Sequence, residues 1–216
     1  MFKRVIPILF VLIASFGCTD DTIPEPAAEF DVRAEILGVV SPDSVEAAQP
    51  FRVQISFPGV CGGSFSRVDR YNSSSTITLT PVLHVIPQSI CLPSYPIQTI
   101  TREASFSARG RYEIVASGRF GDLRKSVIAV SSLQPSGQYR LQFLFQDAVG
   151  LPKVNQTTNF LFPDKVPNGL MSIQSDSAGK WETTFSDTLP RVRYTIGGMT
   201  FEAVKGIPES GVLYFP

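Results

Sequence analysis

The amino-acid sequence predicts an all-β protein made of two tandem β-sandwich domains behind a cleaved amino-terminal signal. Apolar residues recur at every second position, and clusters of Gly, Pro, Asn, Asp and Ser separate these runs at short intervals. After residue 17, no long amphipathic helical pattern follows. Sixteen Phe residues and a charged fraction of 18% provide enough apolar surface for folded cores. Short strands with one apolar face are expected to pack as facing sheets.

A signal peptide is predicted over residues 1–17. Lys3 and Arg4 precede an apolar run over residues 5–16. Such a run spans about 18 Å as a helix, whereas the hydrocarbon core of a bilayer is about 30 Å thick, so it is too short for a stable membrane span. It is typical of a secretory signal. The following Ala-Ser-Phe-Gly-Cys18 resembles the bacterial lipobox, which implies that Cys18 carries lipid, palmitate included, and becomes the first mature residue.

Residues 18–29 are predicted to be the lipidated amino terminus and a flexible tether. The segment from residue 20 to residue 29 is acidic, contains proline and has no apolar periodicity. The acidic residues after Cys18 also resemble the surface-export signals of some Bacteroidetes lipoproteins. These resemblances imply a lipid-anchored protein of the bacterial outer membrane that faces the periplasm or the cell surface. The membrane is therefore an expected partner, through the lipid on Cys18.

The two other cysteines, Cys61 and Cys91, are predicted to form a disulfide. With Cys18 assigned to lipid, they remain as a pair in an oxidising compartment. Two buried free thiols are the alternative. A metal site is not expected, because the chain has one His and neither cysteine has a second thiol nearby at the spacing of a zinc site.

The first domain is predicted over residues 30–130, a length that fits about seven short strands. Alternation is clear over residues 52–57, where Val, Ile and Phe share one face. The segment from Asp43 to Ile55 resembles the opening of bacterial Ig-like modules. Gly110-Arg-Tyr-Glu-Ile114 resembles their late strand, in which a Tyr locks a corner. Because the two cysteines lie in loops with no Trp between them, the prediction is an Ig-like sandwich rather than a true immunoglobulin domain.

The second domain is predicted over residues 138–216, after a linker at 131–137 that is rich in turn-forming residues. Three segments, at 145–152, 175–181 and 193–196, resemble the prealbumin-like modules known as carboxypeptidase regulatory-like domains. In that family, Asp-x-x-Gly turns lead the chain back into the sheet, since Asp caps the turn and Gly takes the positive φ. The resemblance does not explain the tail from Gly206 to Pro216.

No catalytic residue, cofactor or metal ligand is predicted. His84 alternates with apolar neighbours on a strand, and the sequence has no Gly-x-Ser-x-Gly elbow to supply a nucleophile, so a hydrogen-bonded or solvent-facing strand residue is expected. Trp181 begins an alternating run and is expected to be buried in the second core rather than to stack on a sugar. Asp176 and Asp187 are expected to hydrogen-bond within turns. The glycine turns lack the Lys and Ser/Thr of a phosphate cradle.

The predicted role is that of a non-catalytic binding, adhesion or scaffold module, and its expected ligand is a protein or a glycan. Nucleic acid is not expected as a partner, because 19 basic and 19 acidic side chains leave no basic excess. The alternative is a surface-exposed, glycan-directed hydrolase whose carboxylates meet only in the fold. A cleft with two carboxylates about 5–9 Å apart favours the hydrolase, whereas an exposed binding patch favours the binding module.

Overall fold

A computed structural model describes residues 28–87, 90–91, 95–133, 137–147, 149–162 and 169–215. All of the regular secondary structure within these ranges is β-strand, which confirms the predicted all-β class. None of the described segments is a helix long and apolar enough to cross a membrane. The sixteen strands, in chain order, are β1 (Phe30–Arg33), β2 (Gly38–Pro42), β3 (Ser44–Glu46), β4 (Phe51–Pro58), β5 (Gly63–Asn72), β6 (Thr76–Val85), β7 (Ile97–Ala104), β8 (Gly110–Ser117), β9 (Asp122–Val130), β10 (Tyr139–Gln146), β11 (Thr157–Phe162), β12 (Gly169–Gln174), β13 (Lys180–Phe185), β14 (Arg191–Ile196), β15 (Met199–Val204) and β16 (Glu209–Tyr214).

The strands form three sheets. Sheet 1 has the order β1-β6-β8-β9-β3, with β5 on the other edge of β6. Along β6, the edge opposite β5 is shared by β1, which pairs near Val85, and β8, which pairs near Thr76. Sheet 2 has the order β13-β10-β16-β2-β4-β7, and sheet 3 has the order β12-β11-β14-β15.

Sheet 2 contains strands from both halves of the chain. The carboxyl-terminal strand β16 lies between β10, with which it is parallel, and β2, with which it is antiparallel. The predicted division into a domain over 30–130 and a domain over 138–216 stays a prediction. The pairing of β16 with β2, about 170 residues away in the chain, nevertheless joins the two halves by backbone hydrogen bonds, which the sequence did not indicate.

The three sheets stack as layers around two hydrophobic cores. The first core lies between sheets 1 and 2, and the second lies between sheets 2 and 3. Neighbouring residues on the central strands face different cores: Val39 and Val212 belong to the first, and Val40 and Leu213 belong to the second. Because successive side chains of a strand point to opposite faces, β2 and β16 are buried on both sides. This explains the adjacent apolar residues Val39–Val40 in β2 and Val212–Leu213 in β16, where an alternating pattern would place a polar residue.

Local predictions about corners and turns are confirmed. The Tyr112 hydroxyl donates a 2.9 Å hydrogen bond to the Ala108 carbonyl, and its ring stacks on Phe106. Asp147 accepts hydrogen bonds from the backbone of its own turn, as does Asp176 in the later turn.

Each of these Asp turns ends with a glycine of positive φ, at Gly150 and Gly179. At Gly179 a Cβ would also lie 2.8 Å from Pro152 and 3.0 Å from the Phe145 carbonyl oxygen. A side chain there is excluded both by backbone conformation and by space.

Candidate functional site

The predicted modification residues have different outcomes. Cys18 lies outside the described residues, so its lipidation stays a prediction. The disulfide between Cys61 and Cys91 is present, with Cα atoms 5.4 Å apart. Cys61 follows β4 and Cys91 lies between β6 and β7, so the bridge links two loops.

His84 belongs to an exposed cluster of charges at the start of the described chain. Its Nδ1 lies 3.1 Å from Asp31 Oδ1, and its Nε2 lies 3.1 Å from Glu29 Oε2. Arg67 donates hydrogen bonds to Asp31 and to Asp69. The hydrogen bonds with Asp31 and Glu29 raise the pKa of His84, and the hydrogen bond from Arg67 lowers the pKa of Asp31. His84 is therefore a hydrogen-bonded strand residue, as predicted. Its side chain on β6 links that strand to β1 through Asp31.

Asp187 takes the turn role predicted for it, and Trp181 packs against the second core but is only partly buried. The Trp181 ring packs against the second core, with its centroid 4.9 Å from that of Phe160. Asp187 accepts a hydrogen bond from the Leu189 backbone within a turn. Among the described residues, no group of three or more His, Cys, Asp or Glu side chains is placed to hold a metal ion.

A cavity of about 420 Å³ opens where the two halves of the molecule meet. Its walls come from β2 and β3, the loop into β4, the starts of β14 and β16 and the end of β15. We call it the junction cavity, and it is lined by Pro42, Ser44, Val45, Glu46, Gln49, Pro50, Phe51, Arg52, Leu133, Arg191, Val204, Ile207 and Glu209.

Two arginines at the junction cavity share one carboxylate. Arg52 Nη1 lies 2.7 Å from Glu202 Oε1, and Arg191 Nη1 lies 3.2 Å from the same oxygen. The Arg52 hydrogen bond is the main cause of a lowered pKa for Glu202. Glu202 is thus ionised at neutral pH and holds the two guanidinium groups close together.

Glu209 is a buried carboxyl group in the wall of the junction cavity. Only 5% of the residue is exposed. Burial raises the pKa of Glu209 to about 8, against smaller opposing effects of a Val204 backbone hydrogen bond and of the Arg52 charge. Its Oε2, like the hydroxyl of buried Tyr194, has no hydrogen-bond partner among the described residues. The Glu209 carboxyl is therefore protonated at neutral pH.

Four further hydrogen bonds join the strands on either side of the junction cavity. The buried Gln54 side chain pairs with the backbone of Glu202 through two 2.8 Å hydrogen bonds, one donated and one accepted. This joins β4 of sheet 2 to the edge strand β15 of sheet 3. On the other side, Lys125 Nζ donates to Asp43 at 2.9 Å, and the Ser210 hydroxyl donates to the same carboxylate. These contacts link sheet 1 to β16.

No local sequence pattern marks Arg52, Arg191 or Glu209 as a site residue. Arg52 occupies an ordinary polar position on an alternating strand, and Glu209 lies in the tail that the prealbumin-like resemblance does not explain. One signal was present: the tail residues 211–214 are nearly all apolar, which is typical of a strand buried on both faces. Comparisons with protein-family models, with curated proteins and with solved structures find no match to this chain.

Proposed function

We propose that this protein is an exported, lipid-anchored binding module of the bacterial outer membrane, and that the junction cavity is its ligand site. The observation that carries the proposal is the cavity itself. Its volume of about 420 Å³ lies within the range of about 300–1,000 Å³ that is typical of small-molecule sites. Its walls combine apolar side chains with the polar groups of Arg52, Arg191 and Glu209, as such sites do.

The architecture supports a rigid frame for this site. β16 belongs to both cores, so the walls contributed by the two halves are connected by backbone hydrogen bonds rather than by the 131–137 linker alone. Binding sites on such frames lose little conformational entropy when a ligand arrives.

We further propose an Ig-like identity for the first half and a prealbumin-like identity for the second. The Tyr112 corner supports the Ig-like assignment. The seven strands of the second half support the other, since β10, β13 and β16 lie in one sheet and face the four strands of sheet 3 across the second core. β2 extends the three-stranded sheet from outside the module.

A cavity-filling variant tests the ligand site. Ser44→Trp places a large side chain in the junction cavity, and Ser126→Trp, at an exposed position on β9, is the matched control. Ligand-observed NMR against a mixed set of neutral, anionic and cationic small molecules should yield binders for the wild-type protein and for Ser126→Trp. The same binders should be lost with Ser44→Trp. Binding that is unaffected by Ser44→Trp contradicts the proposal.

The anchor is tested separately in cells. Cys18→Ser should abolish palmitate labelling and leave unprocessed precursor, because the acylated thiol is absent. Cys61→Ser, in the disulfide, is the matched control and should retain labelling. Normal labelling of the Cys18 variant contradicts the lipoprotein assignment.

The second candidate is the surface-exposed, glycan-directed hydrolase, which one observation favours. A carboxyl group with a pKa of about 8, as at Glu209, stays protonated at neutral pH and has the character of a general acid. Oε2 of that carboxyl is, however, shielded from solvent, whereas a general acid must reach the leaving group. Release of reducing sugar by the wild-type protein but not by Glu209→Gln would favour the hydrolase over the binding module.

A further inference from the structure

Two arginines gather around a single carboxylate at one end of the junction cavity. Arg52 and Arg191 both pair with Glu202, so two cationic groups face one carboxylate. Glu209 adds no negative charge at neutral pH, because burial keeps it protonated. The nearby carboxylate of Asp43 is paired with Lys125. The cluster of Arg52, Arg191 and Glu202 therefore has a net charge of one positive unit, although the Glu46 carboxylate also lines the cavity. An anionic ligand group would pair with this cluster.

The two guanidinium groups also retain hydrogen-bond capacity. Each guanidinium has five N–H groups, and its contact with Glu202 uses one of them. The side chains are 34% and 61% exposed, respectively, so solvent or a ligand reaches them. Guanidinium groups bind carboxylates in a fork geometry with charge-assisted hydrogen bonds.

The remaining walls are mostly apolar. Phe51 follows directly on the loop into β4, and Val45, Ile207 and Leu133 complete this surface. The Glu46 carboxylate, which also lines the cavity, accepts a 2.9 Å hydrogen bond from the Leu133 backbone. An apolar body of the size of a phenyl group has room in about 420 Å³.

We propose that the ligand of the junction cavity is a compact organic carboxylate, with its anionic group held by Arg52 and Arg191 and its apolar body packed against Phe51 and Val45. This inference rests on the proposed binding function. It specifies the chemical class of the ligand and the residues that select it.

The test compares three probes of one shape: 3-phenylpropanoate, its neutral amide 3-phenylpropanamide and the cationic 3-phenylpropylamine. Binding to the processed full-length protein is measured by NMR titration at pH 7. We expect the carboxylate to bind about tenfold more tightly than the amide, because charge-assisted hydrogen bonds are stronger than neutral ones. The amine should bind most weakly. Inorganic phosphate, which has charge but no apolar body, should compete poorly.

Matched variants assign the selectivity to the arginines. Arg191→Gln leaves the Arg52–Glu202 pair in place and should remove most of the preference for the carboxylate, while affinity for the amide stays unchanged. Arg124→Gln, at an exposed position on β9 of sheet 1 and outside the residues that line the junction cavity, should keep the wild-type preference.

The outcomes separate this inference from the proposed function. Equal binding of carboxylate and amide, lost in Ser44→Trp, overturns the anion assignment but keeps the cavity as a ligand site. Phosphate binding as tight as that of the carboxylate overturns the role of the apolar body. If none of the probes binds in a way that Ser44→Trp abolishes, the inference is overturned, and so is the junction cavity as a site for this class of ligand.

Discussion

Two clusters of ionisable groups in this molecule each contain a carboxyl group with a shifted pKa, and the shifts of Glu209 and Asp31 have opposite directions. At the junction of the two cores, burial raises the pKa of Glu209 far above its ordinary value, because its carboxyl group is shielded from water and Oε2 has no partner among the described residues. At the amino-terminal end, hydrogen bonds lower the pKa of Asp31 and raise that of His84, because both groups are exposed and paired. The pKa values of these two carboxyl groups, Glu209 and Asp31, thus shift in opposite directions.

The difference distinguishes a candidate site from a structural contact. Exposed ion pairs contribute little free energy and are found on most protein surfaces. A buried carboxyl group without a full set of partners destabilises the fold and is typical of functional sites. By this contrast, Glu209 is the better candidate for a functional site. His84 instead makes a structural hydrogen bond to Asp31 on β1.

The largest expected effect concerns the pH dependence of stability at Glu209. The pKa is about 8 in the fold and 4.5 ordinarily, so the folded protein binds the extra proton between these values. The free energy of unfolding therefore falls as pH rises from 4.5 to about 8. The Gln side chain in Glu209→Gln keeps an oxygen that can accept a hydrogen bond from the Val204 N–H, but it does not titrate. The fall in the free energy of unfolding, roughly 3–5 kcal/mol in the wild-type protein, should therefore be absent from this variant. Urea unfolding at a series of pH values from about 4 to about 9 measures this change.

The matched control for this experiment is Glu182→Gln, at an exposed position on β13. It should leave the pH dependence of the wild-type protein unchanged. Parallel stability curves for the wild type and Glu209→Gln would mean that Glu209 titrates normally, and the contrast between the two clusters would disappear.

The disulfide near the amino-terminal end is expected to have the next largest effect. It closes a loop of 30 residues, for which the chain-entropy relation gives roughly 3–4 kcal/mol, or a fall in Tm of about 10 °C on reduction. Scanning calorimetry with and without a thiol reductant measures this change. A Cys61→Ala, Cys91→Ala double variant should melt at the lower temperature and show no response to reductant. Equal melting curves for the oxidised and reduced wild type would refute a stabilising bridge.

The hydrogen bonds of Gln54 allow a test of how much the link between β4 and β15 contributes to stability. Gln54→Ala removes two hydrogen bonds to the Glu202 backbone and leaves both backbone groups unpaired. The expected loss is roughly 2 kcal/mol in the free energy of unfolding, measured with urea. Gln142→Ala, at a half-buried position on β10 of the same sheet, should cost less. Equal losses would show that the Gln54 amide contributes nothing specific.

The sequence predicted the elements whose causes are local. The alternation of Val53, Ile55 and Phe57 indicates one buried face, and the turns at Asp147 and Asp176 follow from Asp and Gly chemistry over four residues. These features depend on neighbours in the chain, so a single sequence contains them.

The features that it did not predict depend on long-range pairing. Val39 and Val40 are adjacent valines, and only the insertion of β16 beside β2 assigns them to different cores. Glu209 is preceded by Pro208 and followed by Ser210, so nothing local marks it as buried. Its environment arises from strands β14 and β15, which pack beside it in the fold.

The smallest expected effect is at His84. Its raised pKa means that its contribution to stability is fully present below pH 6.5 and is lost as pH rises through the folded pKa. NMR follows this residue without ambiguity, because the chain has one His. The titration midpoint should lie above 6.5, and Asp31→Asn should move it back toward the ordinary value. Asp69 is linked to His84 only through Arg67 and Asp31, so Asp69→Asn should shift the His84 midpoint less than Asp31→Asn does. A wild-type midpoint at or below 6.5 would contradict the pairing.

Amide hydrogen exchange of β16 and β2 tests most directly whether the two halves share one sheet, on which the junction cavity depends. With β16 paired to both β10 and β2, the amides of Val212, Val39 and Leu141 should be protected alike and should all exchange only on global unfolding. Rapid exchange of Val212 and Val39 while Leu141 stays protected would show that β16 does not join the halves, and that no lasting cavity lies between them.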